Sequence, residues 1–414
     1  MLIRLLMGAL AAQAADPPPL DLSALLREAE AAHPAIAAAR SREAAARAAA
    51  VREGAPPDPI ASIAYTNVGF GGGSLGDDEE SVVELSWSQE WPYPGKLRLA
   101  GEAARLEAET LGHEAELARL EIAAGVKKAY TELWHADQTA AVLRESRELL
   151  SSLAETAQRR YETGEGLLEN VLKAQTEIAR LDAELQKAAQ ERRAAEALIN
   201  SLTGRATGTP LGVAADLPRP AEVDAEALER AALAVSPRLR AREAATRRRE
   251  AQLDLARRDL RPDFAWGAAY GHRGRLDPEI TGEFGVRVPL HRQRRQAAAV
   301  TEASHRLDSA RHEIETERRR ISAMVRDLAS RARLAAELEI LYANAIVPRA
   351  QSALESAASS YGVGRIDFLA LLSDVNDLLA HRLELITQQH ERILALADLE
   401  PITGRMLAQP GEAP

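Results

Sequence analysis

Apolar and polar residues alternate at every second position in several short stretches of the chain. In SVVELSWSQEW (81–91), Val, Leu and Trp occupy one face, and Glu and Ser occupy the other. PDFAWGAAYG (262–271) and ITGEFGVRVPL (280–290) follow the same pattern. A period of two over about ten residues predicts a β-strand. With PDPIASIAY, which begins at 57, the sequence predicts four strands, at about 60–70, 81–91, 262–272 and 280–290.

The apolar faces of these strands carry the large side chains, and the opposite faces carry charge. Ten residues at the usual tilt is the length a strand needs to cross a membrane. A soluble sheet with one wet face is the alternative, but the chain offers no second apolar layer for such a sheet to pack on. The aromatic residues at positions suited to a membrane-interface girdle are Trp87, Trp91, Trp266 and Tyr270.

Four strands cannot close on themselves. An open sheet edge in lipid would leave unsatisfied backbone groups that cost several kcal/mol each. We therefore expect identical subunits to complete the sheet, with three copies giving a twelve-stranded barrel that contacts membrane lipid.

Long tracts of the chain show coiled-coil spacing, with apolar or small residues in alternating steps of three and four. Leu143, Leu150 and Ala157 precede the segment TGEG, and Val171 and Leu181 follow it. Glycine allows the backbone to reverse where a helix cannot continue. The sequence thus predicts two helical hairpins, with turns at about 161–168 and 361–368 that contain Gly164 and Gly364.

The two halves of the chain are an internal duplication. YETGEGLLENVL at 161 returns as YGVGRIDFLALL at 361, and the tripeptide TGR closes each half. ALLREAEAAHP at 24 likewise matches ALERAALAVSP at 227. We predict a first repeat over 15–206, an irregular linker over 207–224, a second repeat over 225–405 and a disordered tail over 406–414. Each repeat has one leading helix, at about 22–53 and 225–260, then two strands and a helical hairpin.

Composition and charge narrow the function. Residues 1–14 combine Arg4, an apolar run and a small-x-small pair, which predicts a cleaved secretory signal peptide. No later stretch approaches 18 uninterrupted apolar residues.

The net charge of −10 argues against a nucleic-acid partner, and the Arg-rich runs are interleaved with acids, as on a solvated helix face. Because the chain has no cysteine, thiolate chemistry and a lipidated N-terminal Cys are excluded.

The repeated Y-x-x-G-x-x-x-x-x-x-x-L motif, the strand pair before each hairpin and the closing L/I-T-G resemble the TolC-like outer-membrane efflux channel family. This resemblance covers the chain from Leu20 to about Arg405. It implies a mostly α fold with a membrane β-barrel portion, a homotrimer, and an α-helical tunnel through the periplasm of a Gram-negative bacterium. It also implies a periplasmic adaptor (membrane fusion) protein and an inner-membrane pump as partners. The residues implied at the adaptor-docking tips are Gly164, Glu165, Gly166, Gly364, Arg365 and Ile366.

Family channels also narrow near the tips through acidic rings. In this chain Ala370 and Ser373 occupy positions where acids are expected, so the candidates are the nearby Asp367, Asp374 and Asp377. Like charges across a narrow bore would favour cations. We find no catalytic, cofactor-binding or metal-binding motif and expect a passive channel, not an enzyme. The alternative is a periplasmic coiled-coil adaptor or scaffold without a pore.

Overall fold

The structure, a computed structural model, describes residues 20–69, 72–214 and 216–409. The predicted signal peptide over 1–14 lies outside the described residues. The chain separates into two compact units. One unit contains the segments up to Ala37, Leu117–Ser236 and the chain from Ile321 onward, and the other contains Ala38–Glu116 and Pro237–Arg320.

Helices dominate the described chain, and strands are few. The helices are α1 (Leu22–Ala32), α2 (Pro34–Gly54), α3 (Lys96–Glu162), α4 (Leu168–Thr203), α5 (Ala225–Val235), α6 (Pro237–Arg258), α7 (Ala297–Leu341), α8 (Val347–Gly362) and α9 (Phe368–Thr403). The strands are β1 (Ile60–Thr66), β2 (Val82–Trp91), β3 (Arg219–Pro220), β4 (Asp263–His272), β5 (Glu279–Arg287) and β6 (Ala408–Gln409). Two π turns, Arg292–Gln296 and Tyr342–Ile346, precede α7 and α8.

Among the helices described, none is both long enough and apolar enough to cross a membrane.

The leading helix of each repeat is two helices, which corrects the prediction of one. The chain breaks at His33 before Pro34, and again at Ser236 before Pro237. Both proline residues begin a new helix, because proline lacks an N–H and disfavours helical geometry in the residue before it. Asp21 and Asp224 cap α1 and α5 by accepting hydrogen bonds from backbone N–H groups of the first turn.

The second unit contains a four-stranded antiparallel sheet in the order β1-β2-β4-β5. The central pair β2 and β4 joins the two repeats, with Val83 opposite His272 and Trp91 opposite Phe264. β1 and β5 are the edge strands. The last of the four predicted strands, 280–290, ends earlier than expected, at Arg287, so Val288 and Leu290 lie beyond it.

The Arg-rich runs form ion pairs between helices of the second unit. Arg247 of α6 lies 2.6 Å from Glu109 of α3, and Arg311 of α7 lies 3.3 Å from Glu250 of α6. Arg248 also pairs with Glu107. The paired side chains of Arg247 and Arg311 are 52% and 56% exposed, so these faces are solvated, and they also connect neighbouring helices because arginine is long enough to reach across a helix interface.

Two hydrophobic cores are seen among the described residues of the first unit. One joins α1, α3, α4 and the linker through residues such as Leu25, Leu133 and Ile199. The hydroxyl of Tyr130 donates to the carbonyl oxygens of Leu20 (3.3 Å) and Asp216 (3.0 Å), and burial raises the pKa of this tyrosine to about 12. The start of the described chain is thereby attached to the linker.

A buried ion pair joins α3 to the end of α9. Both carboxylate oxygens of Glu400 lie 2.7 Å from the Nζ of Lys127, and both side chains are almost fully buried. Oε1 of Glu400 also accepts hydrogen bonds from the backbone N–H groups of Leu407 (2.7 Å) and Ala408 (2.9 Å). One carboxylate therefore holds α3, α9 and β6 together.

This arrangement corrects the prediction of a disordered tail from 406. Ala408 and Gln409 form β6, which pairs with Arg219 and Pro220 of the linker. The linker is therefore not wholly irregular. The physical reason is the ion pair with its two backbone hydrogen bonds, because a buried carboxylate must satisfy its acceptors. Residues 410–414 lie outside the described chain.

Replacing Lys127 with Met should destabilise the fold by about 3–5 kcal/mol, because Glu400 would be left buried without its partner. Lys128 is the matched control, since it pairs with Asp398 at 2.8 Å but both side chains are partly exposed. Lys128→Met should cost less than about 1 kcal/mol. Urea unfolding of the purified chain in detergent, followed by circular dichroism, measures both losses. Equal losses of stability in the two variants would contradict the conclusion that the buried ion pair of Lys127 and Glu400 matters more to the fold than the exposed pair of Lys128 and Asp398.

Candidate functional site

Each helical hairpin turns through five residues that include a left-handed glycine. Tip 1 is Thr163–Leu167 and tip 2 is Val363–Asp367. Gly164 has φ 77° and Gly364 has φ 74°, a region that favours glycine. In both tips the amide after this glycine donates back into the preceding helix, from Glu165 to Arg160 (2.8 Å) and from Arg365 to the corresponding carbonyl, that of Ser360 (2.9 Å).

The six residues implied at the docking tips divide by exposure. Gly164, Glu165, Gly364 and Arg365 are exposed, whereas Gly166 and Ile366 are partly buried. A Cβ added at Gly166 would lie 3.1 Å from the backbone of Arg160, so this position is closed to larger side chains without local movement. Its counterpart Ile366 packs against the hairpin core. Each tip thus exposes its left-handed glycine and the residue that follows it, and partly buries the next residue.

The helices that lead into the two tips, α3 and α8, are connected by Arg160 and Tyr361. One guanidinium nitrogen of Arg160 donates to the carbonyl oxygen of Tyr361 at 3.1 Å. The guanidinium carbon lies 5.1 Å from the centre of the Tyr361 ring, a distance suited to a cation–π contact. Tyr361 in turn packs edge-to-face on Phe368, with 5.9 Å between ring centres. The end of α8 is therefore held against the end of α3.

Equivalent residues of the two repeats differ in burial at the tips. Tyr361 and Phe368 are 7% and 1% exposed, whereas their counterparts Tyr161 and Leu168 are 42% and 46% exposed. Leu167 and Leu172 extend the exposed apolar surface beside tip 1. The duplicated motif is therefore buried in the second hairpin, whereas in the first hairpin its apolar side chains are exposed.

The three aperture candidates lie in the first turns of α9 or just before it. Asp367 is the N-cap of α9, and its carboxylate accepts a hydrogen bond from the amide of Ala370 at 2.8 Å. Asp374 is partly buried and Asp377 is exposed, and their spacing of three residues places them on one side of the helix. Asp367 thus has a capping role, and Asp374 and Asp377 form a separate acidic pair.

The sheet of the second unit has one apolar and one polar face. Cross-strand partners point to the same face, so the registers align Ile63, Leu85, Tyr270 and Ile280 in one row. These side chains are exposed, as is Phe284, which pairs with Trp266. The opposite face carries acids and small residues, including the row Ala64, Glu84, Gly271 and Glu279.

All four candidate girdle residues lie on the apolar face. Trp87 and Trp266 contact each other edge-to-face, with 4.6 Å between ring centres. Trp91 ends β2 beside Phe264, so these three tryptophans gather toward one end of the sheet. Tyr270 lies toward the other end, nearer the turns. The aromatic residues are therefore found at two levels along the strands.

Two histidines face each other across the contact between α3 and α9. The ring centres of His135 and His390 are 4.6 Å apart, and Nε2 of His390 lies 3.1 Å from a carboxylate oxygen of Glu132. Burial, and then the neighbouring His390, lower the pKa of His135. Hydrogen bonding to His390 lowers the pKa of Glu132. This contact is therefore sensitive to protonation.

Sequence reasoning missed Arg160 and the histidine pair. Arg160 precedes Tyr161, whereas Ser360 precedes the equivalent Tyr361 of the second repeat. This difference between the repeats is a signal in the sequence that could have singled out Arg160. The histidines are 255 positions apart on two different helices. No local pattern brings such residues together, because only the pairing of α3 with α9 does so.

Two helical hairpins and an apolar-faced sheet, built by a duplicated chain, define the class of outer-membrane channel proteins. A family model described as outer membrane efflux protein matches residues 25–205 and 228–405. The chain belongs to the outer membrane efflux protein family, and its location is the outer membrane.

Individual relatives agree with this assignment. The outer membrane efflux protein BepC of Brucella suis biovar 1 is 25% identical over 295 residues, which cover 68% of this chain and 62% of BepC. The chain thus matches less than two thirds of the length of this curated relative. VceC of Vibrio cholerae has a similar fold, with a TM-score of 0.79 at 19% identity over 92% of this chain and 96% of VceC. The open-state MtrE channel of Neisseria gonorrhoeae also has a similar fold, with a TM-score of 0.79 at 18% identity over 96% of this chain and 92% of MtrE.

Because of the histidine contact, we expect the free energy of unfolding of the chain to decrease as the pH falls. The pKa of His135 is lower in the folded chain than its ordinary value of about 6.5, so the unfolded chain binds the proton more readily. Stability is therefore complete above about pH 6.5 and decreases below it, by at most about 1.4 kcal/mol per pH unit for one proton. The lowered pKa of Glu132 extends this loss to lower pH.

Thermal unfolding between pH 7.5 and pH 5 tests this prediction. His135→Asn should flatten the dependence of the unfolding temperature on pH, and His312→Asn, at an exposed histidine on α7, should leave it unchanged. Parallel curves for the original chain and His135→Asn would show that the pair does not respond to protonation in this range.

Proposed function

We propose that this chain is the outer-membrane channel subunit of a tripartite efflux system. It assembles as a homotrimer and passively conducts small molecules, such as drugs or metal ions, from the periplasm to the exterior. The energy comes from an inner-membrane pump, and a periplasmic adaptor connects the pump to the channel. The chain itself contributes a wall and a docking end, and no catalytic step.

The sheet is the observation that carries this proposal. A soluble protein rarely leaves a continuous large apolar face uncovered, but Ile63, Leu85, Ile280 and Phe284 are all exposed on one face. The other face is polar and contains Glu84, Glu279 and Glu283. Such a sheet matches a barrel wall with lipid outside and water inside.

The edges of the sheet support assembly with other copies. β1 and β5 each pair with a single neighbour, so one side of each has backbone groups without a partner strand. Within a membrane these groups must be satisfied by another strand. If β5 of one copy pairs with β1 of the next, three copies close a ring of twelve strands. The adjoining helices would then form the tunnel.

The tips are the proposed docking end. Gly164, Glu165, Gly364 and Arg365 are exposed, and Tyr161, Leu167 and Leu168 leave an apolar surface beside tip 1. An adaptor hairpin could cover this surface. Asp374 and Asp377 would line the narrow end of the tunnel, where their negative charge would favour cations. Asp367, as a helix cap, is the weaker candidate.

A periplasmic adaptor or scaffold is the alternative function, and the findings favour the channel. Family membership spans both repeats, and a scaffold would have no use for an exposed apolar sheet. Fractionation followed by native mass spectrometry tests the choice directly. A trimer in the outer-membrane fraction that conducts ions across a planar bilayer is expected. A soluble periplasmic monomer would rule out the channel.

Replacing Phe284 with Arg should reduce the amount of trimer recovered from the outer membrane. Phe284 lies on the apolar face, and an Arg facing lipid near the bilayer centre costs about 2–4 kcal/mol. The neighbouring Glu283 lies on the polar face, so Glu283→Arg should leave assembly unchanged. Unheated gels of membrane fractions measure the trimer. If Glu283→Arg is the more damaging change, the assignment of the two faces is reversed.

Replacing Gly364 with Val should impair efflux while the trimer remains in the membrane. A β-branched residue with φ near 74° is strained by roughly 1–2 kcal/mol, which distorts tip 2 but not the sheet. Gly164→Val should act alike at tip 1. Gly362→Val is the control, because a Cβ there meets open space at an ordinary φ. Drug susceptibility of complemented deletion strains measures efflux. Loss of the trimer in both tip variants would show that the two glycines are needed for folding or assembly and would contradict a specific role of the tips in efflux.

A further inference from the structure

A cavity of about 290 Å³ lies between α3, α8 and α9 in the first unit. Its apolar walls are formed by Leu149, Leu153, Leu354, Leu371, Val375 and Leu378. Most of these side chains belong to the hydrophobic core that joins the two hairpins. The cavity is separate from the docking tips, the acidic aperture candidates and the sheet.

Two features of the chain occur beside this cavity. Small side chains, Ser146 of α3 and Ala358 of α8, line the cavity, whereas the neighbouring core positions Leu143, Leu150 and Leu354 are large. In addition, α8 begins after the π turn Tyr342–Ile346 and has a proline in its first turn. An extra residue in a turn rotates the following side chains by about 100° relative to the preceding helix.

The first repeat has no such interruption. Its long helix α3 is continuous over 67 residues. Side chains on α8 therefore meet those of α3 in a different register from the one that an unbroken helix would give. The cavity lies at the level of α8 that follows this change of register.

The mouth of the cavity carries charge. Arg382 lies 2.7 Å from Glu145, and the amide of Gln351 donates to Glu355 at 3.0 Å. Two carboxylates and one guanidinium leave this rim with one net negative charge. Leu149 is 38% exposed, so the apolar interior is reachable from solvent. The site therefore combines an apolar interior with a rim that attracts a positive charge.

We propose that this cavity binds a small amphipathic organic cation, with its apolar body against the leucines and its charged group near Glu145 and Glu355. The volume is at the lower end of the range for small-molecule sites. It is too small for a helix, whose diameter with side chains is about 10–12 Å. A ligand here touches both α3 and α8, so it would strengthen the contact between the two hairpins. Binding is measured on the purified chain and does not depend on the proposed efflux function.

Benzyltrimethylammonium is the test probe, and phenylmethanesulfonate, of similar shape and opposite charge, is its control. Titrations of the full chain in detergent, followed by ligand-observed NMR, should show saturable binding of the cation at least tenfold tighter than that of the anion. Combining Glu145→Gln and Glu355→Gln should weaken cation binding about three- to tenfold, which corresponds to roughly 0.7–1.4 kcal/mol.

Cavity-filling variants locate the site. Ala358→Phe should abolish binding, and Ser359→Phe, at the adjacent exposed position, should leave it unchanged. Ser146→Leu fills the cavity from α3 and serves if Ala358→Phe fails to fold. Equal binding of the two probes, or binding that survives both filling variants, overturns the proposal. So does a change in the number of copies per particle in the filling variants, which would show that a side chain of a second copy occupies the cavity.

Discussion

Backbone hydrogen bonding in lipid is the constraint on which the rest of this structure depends. A strand surrounded by hydrocarbon must pair on both sides, because no water is available to its N–H and C=O groups. In this chain β2 and β4 are paired on both sides, and β1 and β5 are not. The central pair comes from the two different repeats, so neither repeat alone could form this sheet. The duplication therefore supplies the two inner strands with partners on both sides and leaves one side of β1 and of β5 without a partner strand.

The two repeats have diverged where they come closest together. Tyr361 and Phe368 are buried and hold the second hairpin against Arg160, whereas Tyr161 and Leu168 face outward. The π turn before α8 interrupts only the second long helix. The same motif thus builds an internal contact in one hairpin and an exposed surface in the other. Duplication with divergence thus gives one chain two hairpins of the same plan with different surroundings.

Polar interactions at a few buried positions connect segments that are far apart in sequence. Lys127, Glu400 and the amides of β6 bring together residues separated by about 270 positions. His135 and His390 meet on the same pair of helices. Each of these contacts joins α3 to α9, the long helices of different repeats. Since burial of unpaired polar groups is costly, these contacts specify how the two hairpins face each other, beyond what leucine packing alone requires.

The sequence by itself determined the strands, the hairpins and the turn glycines. Each of these depends on local rules: alternation along SVVELSWSQEW, three-four spacing around Leu150 and Leu181, and left-handed backbone at Gly164 and Gly364. It did not reveal that α1 and α2 separate at Pro34, a boundary at which the helical pattern continues on both sides. Local periodicity alone could not mark that break.

Only the tertiary structure decided which residues meet. The burial of Tyr361, the capping role of Asp367, the ordered β6 and the cavity beside Ala358 all depend on neighbours from other helices. The related motifs at 161 and 361 have different environments, and the spacing that the two motifs share does not show which of them is buried. The physical reason is that periodicity reports which face of an element is apolar, whereas burial depends on what another part of the chain places against that face.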